Sequence, residues 1–153
     1  GGYQMLGTSI SDPDKIESNL EKVRGLGLIN VKTKMHAEKK LDLVSGIHIK
    51  SGQFITGYEM HIGKTTGPDC KNPLLEIEGQ PSGATAKNGK VYGCYLHGMF
   101  SSDSFRRSFL ESFGVTSNLD NYKTSVNATL DELAEHLKIN LNTKRLLDLA
   151  KIC

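Results

Sequence analysis

The sequence predicts a mixed fold of α-helices and β-strands, with strands through the middle of the chain and helices at its end. Three observations carry this. "KLDLVSGIHI" and "QFITGYEMHIG" each alternate apolar and polar residues, the period of a half-buried strand, and "KSG" between them reads as a hairpin turn. "KVYGCYLHG" is an apolar run that ends in His-Gly. Leu130, Leu133, Ala134, Leu137 and Leu141 recur at three- and four-residue steps, the spacing of one helix face.

The elements follow in chain order. "GGYQMLG" reads as a tight turn into a short helix that stops at Gly7. "TSISDPDKIESNLEKVRGLG" is polar and turn-rich, broken at Asp12-Pro13-Asp14, with a short helix expected before Gly25. "LINVKTKM" is rich in β-branched residues and predicts a strand, followed by the two strands of the hairpin. Lys64 to Pro73 reads as loop, "LLEIEG" as a brief strand, and "QPSGATAKNGK" as a second loop closed by an Asn88-Gly89 turn. After the His-Gly strand, Ser102 or Asp103 caps a helix with apolar positions Phe105, Phe109, Leu110 and Phe113, ending at Gly114. The helix of the leucine series comes next, and a last helix spans about Asn142 to Ile152.

The 153 residues suffice for one domain with its own core. A hydrophobic content of 37% and a charged content of 24% place the chain among globular proteins. The formal net charge of +2 gives no reason to expect nucleic acid or an anionic membrane as partner, and no apolar run reaches the length of a membrane span. Three cysteines, Cys70, Cys94 and Cys153, lack metal-type spacing and are odd in number, which favours a reducing, cytoplasmic setting over a disulfide framework.

Three stretches could carry chemistry. In "GGYQMLG" the small residues at a turn into a helix fit a nucleophile elbow, whose apex would be the residue before Gly1; a glycine-rich end left from cloning is the plain alternative. In "YGCYLHGMF", His97 closes a strand, where a base can activate a thiol or hydroxyl, or where a histidine can be structural. In "GYEMHIGKT", Glu59 and His61 share a strand face, as an acid orienting an imidazole, half a metal site or a polar surface. No third ligand stands at a recognised spacing, so zinc is not expected. Alternation sets Cys94 and His97 on opposite faces of one strand, and Asp69 beside Cys70 disfavours a thiolate there. None of the cysteines present reads as a nucleophile.

Taken in order, "GGYQMLG", "GYEMHIGKT" and "GCYLHGMFSSDSFRR" resemble the glutamine amidotransferase domain of the cobyric acid synthase family, and "GLGL" and "LDELAEHL" fit it too. The resemblance runs over essentially the whole chain. It implies an α/β fold of the class I glutamine amidotransferase type, with a flavodoxin-like central sheet and flanking helices. The 1–153 chain is then a partial domain, a C-terminal fragment beginning just after the nucleophilic Cys, with the N-terminal strands and an ATP- and Mg-dependent synthetase domain outside it. It implies glutamine as substrate, ammonia passed to a corrinoid acceptor, and no cofactor held by this chain itself. His97 takes the role of catalytic base, the Gly1 N–H donates to the oxyanion, and Gln4 helps hold the substrate glutamine. Where related amidotransferases have an acid two residues after the histidine, this chain has Met99, which leaves Glu59 as a candidate to orient His97 or a Cys-His dyad without an acid. Other readings are an amidotransferase for a different acceptor (a cobyrinic acid a,c-diamide synthase or a cell-wall enzyme) and a non-catalytic amidotransferase-like module. A sheet lacking its first strands would expose an edge that could pair with a second copy.

Overall fold

A computed structural model describes residues 1–116 and 121–151. The chain divides into two compact units, Gly1–Thr116 and Ser117–Cys153. Unit 1 is a mixed sheet with short helices. It opens with α1 (Gly2–Leu6), followed by β1 (Ser9–Ser11), β2 (Lys22–Arg24), the long β3 (Lys32–His48) and β4 (Gln53–Thr66). Then come β5 (Leu75–Ile77), β6 (Gln80–Ser82), β7 (Ala84–Thr85), β8 (Tyr92–Gly93), β9 (Leu96–His97) and α2 (Asp103–Glu111).

The main sheet runs β2-β1-β3-β4-β9, with β5 and then β6 added on β3. β1 lies parallel to β3 and the other pairs are antiparallel. The expected hairpin is its backbone: β3 and β4 pair from His48↔Gln53 out to Lys32↔Thr66. Because antiparallel partners face the same side, Val44 and Ile55 point into the core while their neighbours point away. Val44, Ile55, Leu75, Leu96 and Phe105 form one core cluster, closed by α2. Tyr3, Ile29, Val31, Ala84 and Ala86 form a second around α1. At the start of α2 the Ser102 hydroxyl accepts from the Thr56 N–H of β4 at 3.3 Å, which ties the helix to the sheet.

Several sequence expectations need correction. Residues 22–24, placed in a short helix, are strand β2. The cause is Asp12, whose carboxylate accepts the N–H groups of Ile16, Glu17 and Ser18 at 2.8–3.0 Å and so satisfies the donors locally in a loop. "LINVKTKM" and the first hairpin strand are one element, β3, interrupted by a register shift between Lys34 and Lys39. Residues 64–66, read as loop, extend β4. "QPSGATAKNGK" contains β6 and β7, which are too short to leave a periodic signature, and Pro81 sits on the outermost strand, where its missing N–H does no harm. The run read as one strand before His97 is two, β8 and β9, broken at Cys94-Tyr95.

Unit 2 holds α3 (Tyr122–Asn140) and α4 (Thr143–Ala150). Each begins on an asparagine: Asn121 accepts from the Thr124 N–H at 3.2 Å and Asn142 from the Arg145 N–H at 3.0 Å. The expectations for Ile152 and Cys153 lie outside the described residues. No helix among the described residues is long and apolar enough to cross a membrane.

Candidate active site

The site is assembled from the two ends of unit 1. Gly1 stands at the start of α1, and its carbonyl accepts the Met5 N–H at 3.0 Å, the first bond of the helix. One turn on, Gln4 is buried and its side-chain Nε2 donates to the Ile62 carbonyl at 2.9 Å. That anchor leaves the Gln4 Oε1 turned toward Gly1, 3.7 Å from where a Cβ on that glycine would stand. His97 ends β9, paired with Tyr58 of β4. Gly57, next to Tyr58, sits so close beneath β9 that a Cβ there would strike the His97 carbonyl oxygen. Only glycine lets β9 dock at this register.

Gly1, Gly2, Gln4, His61, Tyr95 and His97 line a cavity of about 270 Å³, at the small end of ligand sites. The residues singled out at the helix start and at the strand end therefore line one cavity. Glu17 and Lys39 add a carboxylate and an ammonium to the lining. A neighbouring cavity of about 260 Å³ shares Gly1, Gln4, Glu17 and Met35 and continues between apolar Ile10, Leu20 and Val23.

Glu59 is buried, and the partners found for it are Lys40, with Nζ 2.5 Å from its carboxylate, and His61, with Nε2 at 3.5 Å. The acid and the imidazole that share a strand face thus do face one another. The hydrogen bond to Glu59 raises the Lys40 ammonium above its ordinary value. The other nitrogen of His61, Nδ1, lies 2.9 Å from the Gly63 carbonyl, which can only accept, so Nδ1 carries the proton. Gly63, inside β4, has φ +91°, in the left-handed region that favours glycine.

Tyr95 is the residue that sequence reasoning missed. Its ring stacks on His61 at 4.0 Å, and its hydroxyl meets Thr65 Oγ1 at 2.5 Å, which in turn meets buried Thr33 Oγ1 at 2.7 Å. The signal available was its place two residues before His97.

Cys94 needs a different argument from the one alternation supplied. The break between β8 and β9 ends the alternation, and Cys94 and His97 line the same cavity. Burial pushes the Cys94 thiol up, which keeps it protonated. Burial also raises the Cys70 thiol, with the Asp69 charge as a smaller cause, and burial raises the Tyr3 hydroxyl beside it.

A family profile described as the CobB/CobQ-like glutamine amidotransferase domain matches residues 1–105. The chain belongs to this family. Its mixed sheet with flanking helices is consistent with a class I amidotransferase-like domain. Among its relatives, a cobyric acid synthase from Cereibacter sphaeroides is 51% identical over 151 residues, covering 99% of this chain and 31% of that protein. Cobyric acid synthases from a Ruegeria species and from Bradyrhizobium diazoefficiens are 48% and 44% identical, again over 99% of the chain and 31% of each relative. The chain thus spans under a third of the length of these relatives.

Proposed function

We propose that this chain is the glutamine-hydrolysing part of a cobyric acid synthase. The observation that carries the reading is that Gly1 and His97, from opposite ends of unit 1, line one cavity. In the full polypeptide the attacking thiol is a cysteine directly before Gly1. His97 removes the thiol proton, and the sulfur attacks the side-chain amide carbon of glutamine. The Gly1 N–H, at the positive end of α1, donates to the oxyanion. His97 returns the proton to the departing nitrogen, ammonia leaves, and water cleaves the γ-glutamyl thioester to glutamate. Gln4, pinned through its Nε2 to Ile62, holds the substrate with its Oε1. Glu59 is engaged with Lys40 and His61, which favours a Cys-His dyad over a triad through that acid.

The ammonia then amidates side-chain carboxylates of a corrinoid, taking adenosylcobyrinic acid a,c-diamide to cobyric acid. The activation of those carboxylates by ATP and Mg belongs to the part of the polypeptide this chain does not span, and a cytoplasmic setting suits such biosynthesis. The shared name of the relatives supports this acceptor over the a,c-diamide synthase reaction.

The test is labelling of the full polypeptide by a glutamine-analogue alkylator together with His97→Ala. The reading expects one label on the cysteine preceding Gly1, and a variant that loses glutamine-driven amidation but keeps ammonium-driven amidation. By itself the chain is expected to hydrolyse no glutamine. Turnover by the isolated chain that His97→Ala abolishes would make Cys70, Cys94 or Cys153 the nucleophile and overturn the assignment of the thiol.

A further inference from the structure

The long hairpin carries two apolar faces, and the core uses one. On the other, three directly opposed pairs of β3 and β4, Leu41↔Met60, Leu43↔Tyr58 and Ile47↔Phe54, stand in a row. They are exposed, Leu43 at 72% and Phe54 and Leu41 each at 58%. On the same face Ser45↔Thr56 stands between the second and third of these pairs and is uncharged, and the charged pair, Lys39↔Ile62, lies beyond the Leu41↔Met60 end, so no charge interrupts the stripe. Isolated exposed apolar residues are ordinary, but six of them aligned on one sheet face mark an interaction site.

We propose that this stripe docks the synthetase portion of the same polypeptide. The inference rests on the glutaminase reading above. Two observations select the occupant. First, the stripe runs into the site: Tyr58 pairs with His97 and so puts its ring on the same face, and Met60 and His97 both line the cavity. Ammonia leaving that cavity into water would take up a proton and lose its nucleophilic lone pair, so the surface around the mouth must be sealed against the part that consumes it. Second, the relatives extend over roughly twice as much chain again as this one, with 31% of their length matched here. A second copy on the same face would cover Tyr58 and His97 of both chains and leave the ammonia no acceptor. The occupant is accordingly an apolar surface that fits over three cross-strand pairs and closes the cavity at the His97 end.

The experiment uses the full polypeptide that carries this chain, with Leu43→Glu and Phe54→Glu, neither of which lines the cavity. Three rates are measured: glutamine hydrolysis, amidation driven by ammonium, and amidation driven by glutamine. Losing a buried apolar anchor at an interface weakens it by about tenfold or more, and glutamine-driven amidation is expected to fall by that factor. Hydrolysis and ammonium-driven amidation should stay within about twofold of the parent, as expected for surface changes away from the chemistry. Unchanged glutamine-driven amidation overturns the docking assignment. Absence of hydrolysis in the parent itself instead overturns the glutaminase reading. A photocrosslinking amino acid in place of Leu43 gives a readout free of any folding defect from an added charge. Crosslinks to the synthetase portion of the polypeptide support the proposal; crosslinks to the amidotransferase strands expected before Gly1, only to another copy, only within these 153 residues, or none at all overturn it.

Discussion

Gly57 lies under the backbone of His97 with no room for a methyl group, because a Cβ would meet the His97 carbonyl oxygen and the Leu96 side chain. The position of the proposed base is therefore set by a residue on the neighbouring strand that has no side chain. Gly57→Ala is expected to push β9 away from β4 and carry the imidazole with it. A displacement of about 1 Å suffices for a loss of roughly a hundredfold in rate. The check is glutamine hydrolysis in the full polypeptide alongside circular dichroism, with activity lost and strand content kept. Near-normal hydrolysis would mean that β9 absorbs the methyl elsewhere and that Gly57 does not position His97.

Phe105 is 1% exposed and sits where α2 closes over Val44 and Ile55. Its ring also meets His48 edge to face at 4.9 Å and Phe109 at 5.8 Å, so truncation leaves a hole bordered by rigid groups. Phe105→Ala is expected to destabilise unit 1 by about 3–5 kcal/mol. Urea unfolding of the chain measures it, and a change below about 1 kcal/mol would show that α2 contributes little to this core.

The same contact makes stability depend on pH. Burial lowers the pKa of His48 from its ordinary 6.5, and the charge of Lys50 adds to the effect. The Ser51 N–H points at Nδ1 of His48, 3.3 Å away, which suits a neutral ring accepting there. With the folded value depressed, the unfolded chain binds the proton more readily. The contribution is complete above pH 6.5 and is lost as pH falls from 6.5 toward the folded value. Unfolding free energies measured from about pH 7.5 down to about pH 5 should decline in the parent and decline less in His48→Gln. Equal slopes would remove His48 as the cause.

The large features were legible because they rest on repetition. The hairpin shows in the alternation of residues 41–48 and 53–60, and the last helices in their leucine spacing. Pairings that depend on distant residues left no local trace. β2 exists because β1 is available to it and because Asp12 occupies the donors of the intervening loop. The break at Cys94-Tyr95 arises where the Tyr95 carbonyl accepts from Met60 and its ring turns onto His61, neither of which a nine-residue apolar run can reveal. His97, Gly1 and Gln4 stood out through motif context. Glu17 and Lys39 did not, because what puts them at the cavity is the fold around Asp12 and the shift in β3.

Asp12 is the residue whose removal should most change the cavity wall without touching its chemistry. Its two carboxylate oxygens accept three successive backbone N–H groups, from Ile16, Glu17 and Ser18, and these bonds lower its pKa from the ordinary 3.8. Glu17 faces both cavities and Ser18 the second, so this carboxylate holds part of each wall in place. A depressed folded value means that the contribution is present above pH 3.8 and lost as pH falls through the folded value. At neutral pH, Asp12→Ala is expected to leave three N–H groups without their acceptor and to raise hydrogen exchange at Ile16, Glu17 and Ser18, while exchange in the β3–β4 core stays slow. Asp12→Asn keeps an acceptor oxygen and should fall between the two. Unaltered exchange at all three amides in Asp12→Ala would show that the loop is held by β1 and β2 alone, and that the carboxylate caps it without shaping it.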